Sequence, residues 1–264
     1  MLAVNGTTLY YEQTGAGQEA IVFSHGLLWS NRMFEAQVAH FKERYRCMAY
    51  DHRGQGHSAI ARSGYDMETV YQDGVALIEA LQLAPVHFVG LSMGGFVGMR
   101  LAARRPDLLK SLILMETSAD PEPPENIPRY RLLNFIARWL GFRPVTKSVM
   151  QIMFSQSFLN DPTRQAERDY WQQQLWNNHR VGITRAVQGV ITRQGVYEEL
   201  PKIALRTLII VGEEDVATVP AKSERIQAQI RGSQLVRIPQ AGHTSSVEQP
   251  ARVNSAIEQF LATL

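Results

Sequence analysis

Short runs of β-branched and aromatic residues alternate along this chain with segments whose apolar positions recur every three or four residues. That alternation predicts an α/β fold on a mostly parallel sheet. Thr8-Leu9-Tyr10-Tyr11-Glu12 predicts an early antiparallel strand over 8–12, and Ala20-Ile21-Val22-Phe23-Ser24 a buried strand over 20–24. A helix from Met33 to Phe41 and a strand over 47–50 follow. The next helix covers 66–82, with Val70, Val75, Leu77, Ile78 and Leu81 on its inner face. Strand 86–90, a helix over 93–104 bounded by Pro106, and strand 111–115 complete the first half. Strands 207–211 and 234–238, with helices 220–230 and 247–262, close the chain.

Between these halves the pattern breaks. Asp120-Pro121-Glu122-Pro123-Pro124-Glu125-Asn126-Ile127-Pro128 is too rich in proline for a regular element. From there to about residue 190 no sheet strand is visible. Leu132, Phe135, Ile136 and Trp139 recur at helical spacing, and Trp171, Leu175 and Trp176 form a second apolar face. The expected organisation is therefore a core of residues 1–118 and 191–264 with a helical cap over 119–190. The cap side chains Leu132, Phe135, Ile136, Trp139, Trp171 and Leu175 have two readings, as the insertion's own small core or as the roof of an apolar pocket. The second sets the cap above the carboxyl edge of the sheet, where open α/β folds bind ligands.

Length and charge narrow the class. The chain has 264 residues, 45% of them hydrophobic, enough for one large domain with an insertion. Its 27 Lys and Arg against 25 Asp and Glu leave a net charge of +2, and the basic residues are scattered. No nucleic-acid or membrane surface is expected, and the partner is a small-molecule substrate. The start, Met1-Leu2-Ala3-Val4-Asn5-Gly6, lacks a signal pattern and no segment is apolar enough to span a bilayer, so a cytoplasmic monomer or homodimer is expected. Cys47, the one cysteine, lies in an apolar run and reads as buried filling.

Chemistry enters at Gly90-Leu91-Ser92-Met93-Gly94-Gly95, where strand 86–90 meets a helix. Small residues two before and two after Ser92 allow the sharp turn that lifts a serine Oγ clear of the sheet. A nucleophilic serine needs a base, and the base an orienting carboxylate. Gln240-Ala241-Gly242-His243-Thr244 offers His243 directly after strand 234–238. Val211-Gly212-Glu213-Glu214-Asp215 offers Asp215 after strand 207–211, with Glu213 and Glu214 in the same loop and Glu116, beyond strand 111–115, as alternatives. The oxyanion needs two N–H donors. Met93 supplies one at the helix start, and Leu27 a second from the loop His25-Gly26-Leu27-Leu28-Trp29. In that loop His25 reads as a backbone ligand, Gly26 permits close approach of substrate, and Trp29 is a candidate wall of the pocket. The turn Asp51 to Ser58 matches neither a phosphate loop nor a zinc spacing and reads as a packed support, with Arg53 salt-bridged inside it. No metal and no organic cofactor is needed by this scheme.

Taken together, His25-Gly26, Asp51-x-Arg53-Gly54-x-Gly56-x-Ser58, Gly90-x-Ser92-Met93-Gly94-Gly95, Gly212-x-x-Asp215 and Gly242-His243 resemble the α/β-hydrolase superfamily across the whole chain. The resemblance implies an eight-stranded sheet, a cap after the sixth strand, and a Ser92-Asp215-His243 triad with Leu27 and Met93 as oxyanion donors. Overall likeness is greatest to the bacterial esterase and lactonase branch, which includes 3-oxoadipate enol-lactonases and metal-independent N-acyl-homoserine lactonases. The expected activity is serine-dependent hydrolysis of carboxylic esters or lactones. An N-acyl-homoserine lactone, and with it quorum quenching, is the favoured substrate reading because of the apolar cap. A general short-acyl esterase and an enol-lactonase are the alternatives. Carbon–carbon bond hydrolysis, cofactor-free perhydrolysis and a non-catalytic receptor on the same fold stay open.

Overall fold

A computed structural model describes residues 1–264. Nine strands form in chain order: β1 Leu2–Val4, β2 Thr7–Leu9, β3 Tyr11–Thr14, β4 Ala20–Ser24, β5 Arg46–Tyr50, β6 Val86–Leu91, β7 Leu109–Met115, β8 Thr207–Gly212 and β9 Gln234–Ile238. Seven of them make the main sheet in the order β3-β5-β4-β6-β7-β8-β9, antiparallel only at β3. The eighth strand implied by the resemblance is not in it. β1 and β2 pair only with each other, as a separate two-stranded ribbon. The single strand expected over 8–12 is likewise split at Tyr10, whose N–H is taken by the Ser58 hydroxyl at 2.8 Å instead of by a ladder partner.

Every residue of β4 and β6 is buried, as both faces of a parallel sheet must be. Alternation along β4 sends Val22 into one core cluster and Ile21 and Phe23 into the other. The first cluster is closed by α2 Met67–Ala80, α3 Met93–Arg104 and α9 Pro220–Gln229, and the second by α1 Glu35–Phe41 and α11 Pro250–Leu261. The terminal helix expected over 247–262 is broken in two, α10 Ser245–Glu248 and α11, because Pro250 can only begin a helix at that point.

Between β7 and β8 stand five helices, α4 Ile127–Leu140, α5 Thr146–Met153, α6 Gln156–Asn160, α7 Gln165–Asn177 and α8 Arg180–Ile191. They have no core of their own. Phe142, Met150, Phe154, Trp171 and Leu175 belong to the same buried cluster as Phe23 and Val89 of the sheet. α8 meets the core backbone to backbone: a Cβ added at Gly182 would lie 2.0 Å from the Gly54 carbonyl oxygen. No helix is long and apolar enough to cross a membrane.

The sheet order determines where a ligand goes. From β4 the chain moves outward to β5, then returns to β6 on the other side of β4, so the ends of β4 and β6 flank the switch point of the topology. Ser24 and Gly90 are register partners there. The loop after β4 and the turn after β6 are therefore neighbours.

Candidate active site

Ser92 stands on the turn between β6 and α3 with φ 52° and ψ −107°, a left-handed conformation that a non-glycine residue holds only under constraint. The constraint is visible in its hydrogen bonds. Its N–H donates to Met115 O at 2.8 Å, and its carbonyl accepts from Phe96 N at 3.1 Å and Thr117 Oγ1 at 2.8 Å. Close packing of the turn against β4 requires glycine at position 94, where an added Cβ would lie 1.9 Å from Ser24 O.

His243 follows β9 and brings Nε2 to 2.8 Å from Ser92 Oγ, while Nδ1 lies 2.9 Å from Asp215 Oδ2. All three residues are buried. Asp215 also accepts from the N–H groups of Ala217 at 2.8 Å and Thr218 at 3.0 Å, and from Thr218 Oγ1 at 2.8 Å. Burial would raise its pKa, but the charge of His243 and these hydrogen bonds outweigh it and hold the carboxyl below its ordinary value. A carboxylate fixed against Nδ1 keeps the proton there and leaves Nε2 as the acceptor facing the serine.

The alternative acids fall elsewhere. Glu213 is exposed, and Glu214 accepts from the Ser157 N–H at 3.0 Å. Glu116 is fully buried and accepts from Gly212 N at 3.1 Å. Burial, with the charges of Asp215 and Glu248 behind it, pushes its pKa well up, which favours the protonated form.

The Leu27 and Met93 N–H groups make no backbone hydrogen bond, and both residues flank the serine, one in the loop after β4 and one at the start of α3. Gln55 braces the two segments. Its Oε1 accepts from Leu28 N at 2.9 Å and its Nε2 reaches Met93 Sδ at 3.8 Å. Asn178, at the end of α7, donates to Leu28 O at 2.8 Å from the other side. His25 is buried, with Nδ1 at 2.7 Å from Gly26 O and Nε2 accepting from His52 N at 2.9 Å. Arg53 is salt-bridged, but to Asp73 on α2 and not inside its own turn.

The serine and histidine open into a cavity of about 130 Å³, where 16 of 22 lining residues are hydrophobic. Its walls are Tyr130, Leu133, Asn134 and Ala137 of α4, Val149, Ile152 and Met153 of α5, and Ile183, Val187, Val190 and Ile191 of α8. The side chains expected to line it do not. Leu132, Phe135 and Trp139 are 59%, 62% and 64% exposed on the outer face of α4. Ile136 packs against the second core cluster, and Leu175 is fully buried in it. Trp29 and Trp171 meet edge to face at 5.2 Å within the second core cluster, and neither they nor His25 and Gly26 border the cavity.

The family model for the alpha/beta hydrolase fold matches residues 19–250. The chain belongs to the α/β-hydrolase family. Among its relatives, 3-oxoadipate enol-lactonase 2 of Acinetobacter baylyi is 27% identical over 261 residues, 98% of this chain and 95% of that protein. The solved enol-lactonase from Burkholderia xenovorans LB400 superimposes with a TM-score of 0.91 at 28% identity, covering 99% of each chain. A thermophilic esterase from Thermogutta terrifontis gives 0.90 at 29%, covering 97% of this hydrolase and 94% of the esterase. With a buried Ser92-His243-Asp215 array in the family's order, the protein is a serine hydrolase of the carboxylesterase and lactonase type.

Three supporting residues had no sequence signal. Gln55, Thr218 and Glu248 act through contacts distant in the chain or through side-chain orientation. Glu248 sits under the His243 loop, with Oε1 accepting from Gly242 N at 3.0 Å, Thr244 N at 3.3 Å and Thr244 Oγ1 at 3.0 Å. Its Oε2 accepts from Ser155 N at 2.9 Å, which ties that loop to the segment between α5 and α6.

Proposed function

We propose that this hydrolase cleaves short-acyl carboxylic esters and related lactones through an acyl-enzyme on Ser92. His243 Nε2 takes the Oγ proton as Oγ attacks the carbonyl carbon, and Asp215 stabilises the imidazolium without becoming protonated. The Leu27 and Met93 N–H groups receive the oxyanion, the second reinforced by the positive end of α3. Collapse expels the alcohol with the proton returned by His243. In a lactone the alcohol stays attached through the acyl chain. His243 then takes a proton from water for deacylation. His243 passes that water proton to Ser92 Oγ as the acid leaves, which restores the free serine.

The observation that carries this reading is the hydrogen-bonded serine at the mouth of an apolar cavity large enough for an acyl chain. Leu132, Phe135 and Trp139 face solvent, so they give no ground for preferring a homoserine lactone over other esters. The relatives named above, an enol-lactonase and an esterase, support the broader ester and lactone reading. Hydrolysis of p-nitrophenyl butyrate tests it: Ser92→Ala and His243→Ala should each lose at least about a hundredfold in kcat. Full turnover by Ser92→Ala would refute the mechanism.

A further inference from the structure

Away from the triad, the charged groups in the apolar lining are Arg193 and Glu122. Arg193, just past α8, meets Glu122 from the start of the insertion, both on the cavity wall. The guanidinium is held from three directions: Nη1 donates to Glu122 Oε2 at 2.7 Å and to Val190 O at 2.9 Å, and Nε to Asp120 O at 3.2 Å. Its Cζ lies 4.4 Å from the centre of the Phe96 ring. Glu122 is steadied in turn by Asn126 Nδ2, which donates to Oε1 at 3.0 Å. The Arg193 side chain is only 4% exposed, yet Nη2 donates to nothing and is not sealed inside the protein. A substrate that displaces solvent from this donor leaves it unpaired unless it offers an oxygen in return, so a ligand acceptor there is favoured over a methylene.

Position and charge define the ligand group. Phe96, under the guanidinium, is one helical turn beyond Ser92, a rise of about 5.4 Å. Ser92, Phe96 and Arg193 line the same cavity, so an acyl group with its carbonyl at Ser92 extends along a wall that carries the guanidinium. Glu122 already neutralises Arg193, so a substrate carboxylate would be an unbalanced anion in a mostly hydrophobic wall. A ketone or amide oxygen carries no such charge to desolvate.

We propose that Arg193 is a specificity-determining residue that donates from Nη2 to a neutral carbonyl oxygen on the acyl side of the substrate, with Glu122 fixing the guanidinium and disfavouring anionic acyl groups. This deepens the esterase reading and rests on it. The test compares kcat/KM for ethyl pentanoate, ethyl 4-oxopentanoate and monoethyl glutarate, each corrected for its rate with hydroxide. The wild type should favour the 4-oxo ester over pentanoate by about tenfold or more and place the glutarate below both. In Arg193→Met the 4-oxo preference should collapse toward one. In Glu122→Gln the glutarate should gain about tenfold relative to pentanoate. These are ratios between substrates on one enzyme, so a reduced folded fraction cancels. A wild-type 4-oxo ratio within about twofold of one, or a ratio that survives in Arg193→Met, overturns the proposal. A wild-type preference for the glutarate overturns the neutral-acceptor assignment. Hydrolysis of none of the three esters would refute the esterase reading, and this inference with it.

Discussion

Glu248→Gln isolates how the histidine loop is held. One carboxylate accepts from Gly242 N, Thr244 N, Thr244 Oγ1 and Ser155 N. The amide has the same shape but only one acceptor oxygen. In its best orientation that oxygen keeps the three donors at the Oε1 position, and the NH2 faces the Ser155 N–H. A buried N–H left unpaired costs about 1–3 kcal/mol. Urea unfolding followed by tryptophan fluorescence should show that loss, and kcat should fall about tenfold as His243 gains freedom. The pH dependence has a definite sign. Burial raises the Glu248 pKa despite the donors, so its contribution to stability is complete below about pH 4 and declines as pH rises through the folded-state pKa. Wild-type stability should therefore slope downward with pH over that range more than Glu248→Gln does. A variant with unchanged midpoint, slope and kcat would refute the idea that this carboxylate positions the loop.

Asp215→Asn should keep the fold and lower kcat by orders of magnitude, with Glu213→Gln nearly silent; the reverse pattern in ester assays would reassign the acid. Trp139→Ser, on the outer face of α4, should leave kcat/KM for esters within about twofold. Val149→Trp, in the cavity wall, should cut it by more than tenfold for longer acyl chains, and equal effects would contradict the described cavity. Burial pushes the Cys47 thiol up to about 12, so a disulfide reagent at pH 8 should label the native protein negligibly and the urea-unfolded chain once; rapid native labelling would count against that burial.

The sheet and the serine turn were legible because their signals are local. Short apolar runs ending at or near glycine mark β4, β6 and β8, and the residues around Ser92 dictate its turn. Strand ends also carry Asp215 and His243 to one edge once the sheet is parallel. The cap lining was not legible, for a specific reason. Both faces of α4 are apolar enough to fit a helical stripe: Leu132, Phe135 and Trp139 on one, Tyr130, Leu133 and Ala137 on the other. Periodicity finds the helix and cannot choose between the faces. The choice is made by how α4 packs on α8, a contact between residues some fifty positions apart, such as Asn134 Nδ2 donating to Thr184 O at 3.1 Å. Arg193 was hidden similarly, since nothing adjacent to it in sequence announces Glu122 or Phe96.

The contact of Gly182 with the Gly54 carbonyl sets how close α8 comes to the turn after β5, and that spacing belongs to the main chain, not to any side chain. The cavity thus has two kinds of boundary. Along α8 the distance is a fixed dimension that trimming Ile183 or Val187 can only roughen. Along α4 and α5 the limit is drawn by Leu133, Val149 and Ile152, each replaceable one at a time. Selection for a longer or bulkier acyl group, in nature or in the laboratory, has room to act on the second boundary while the first stays as a ruler against which the new pocket is measured.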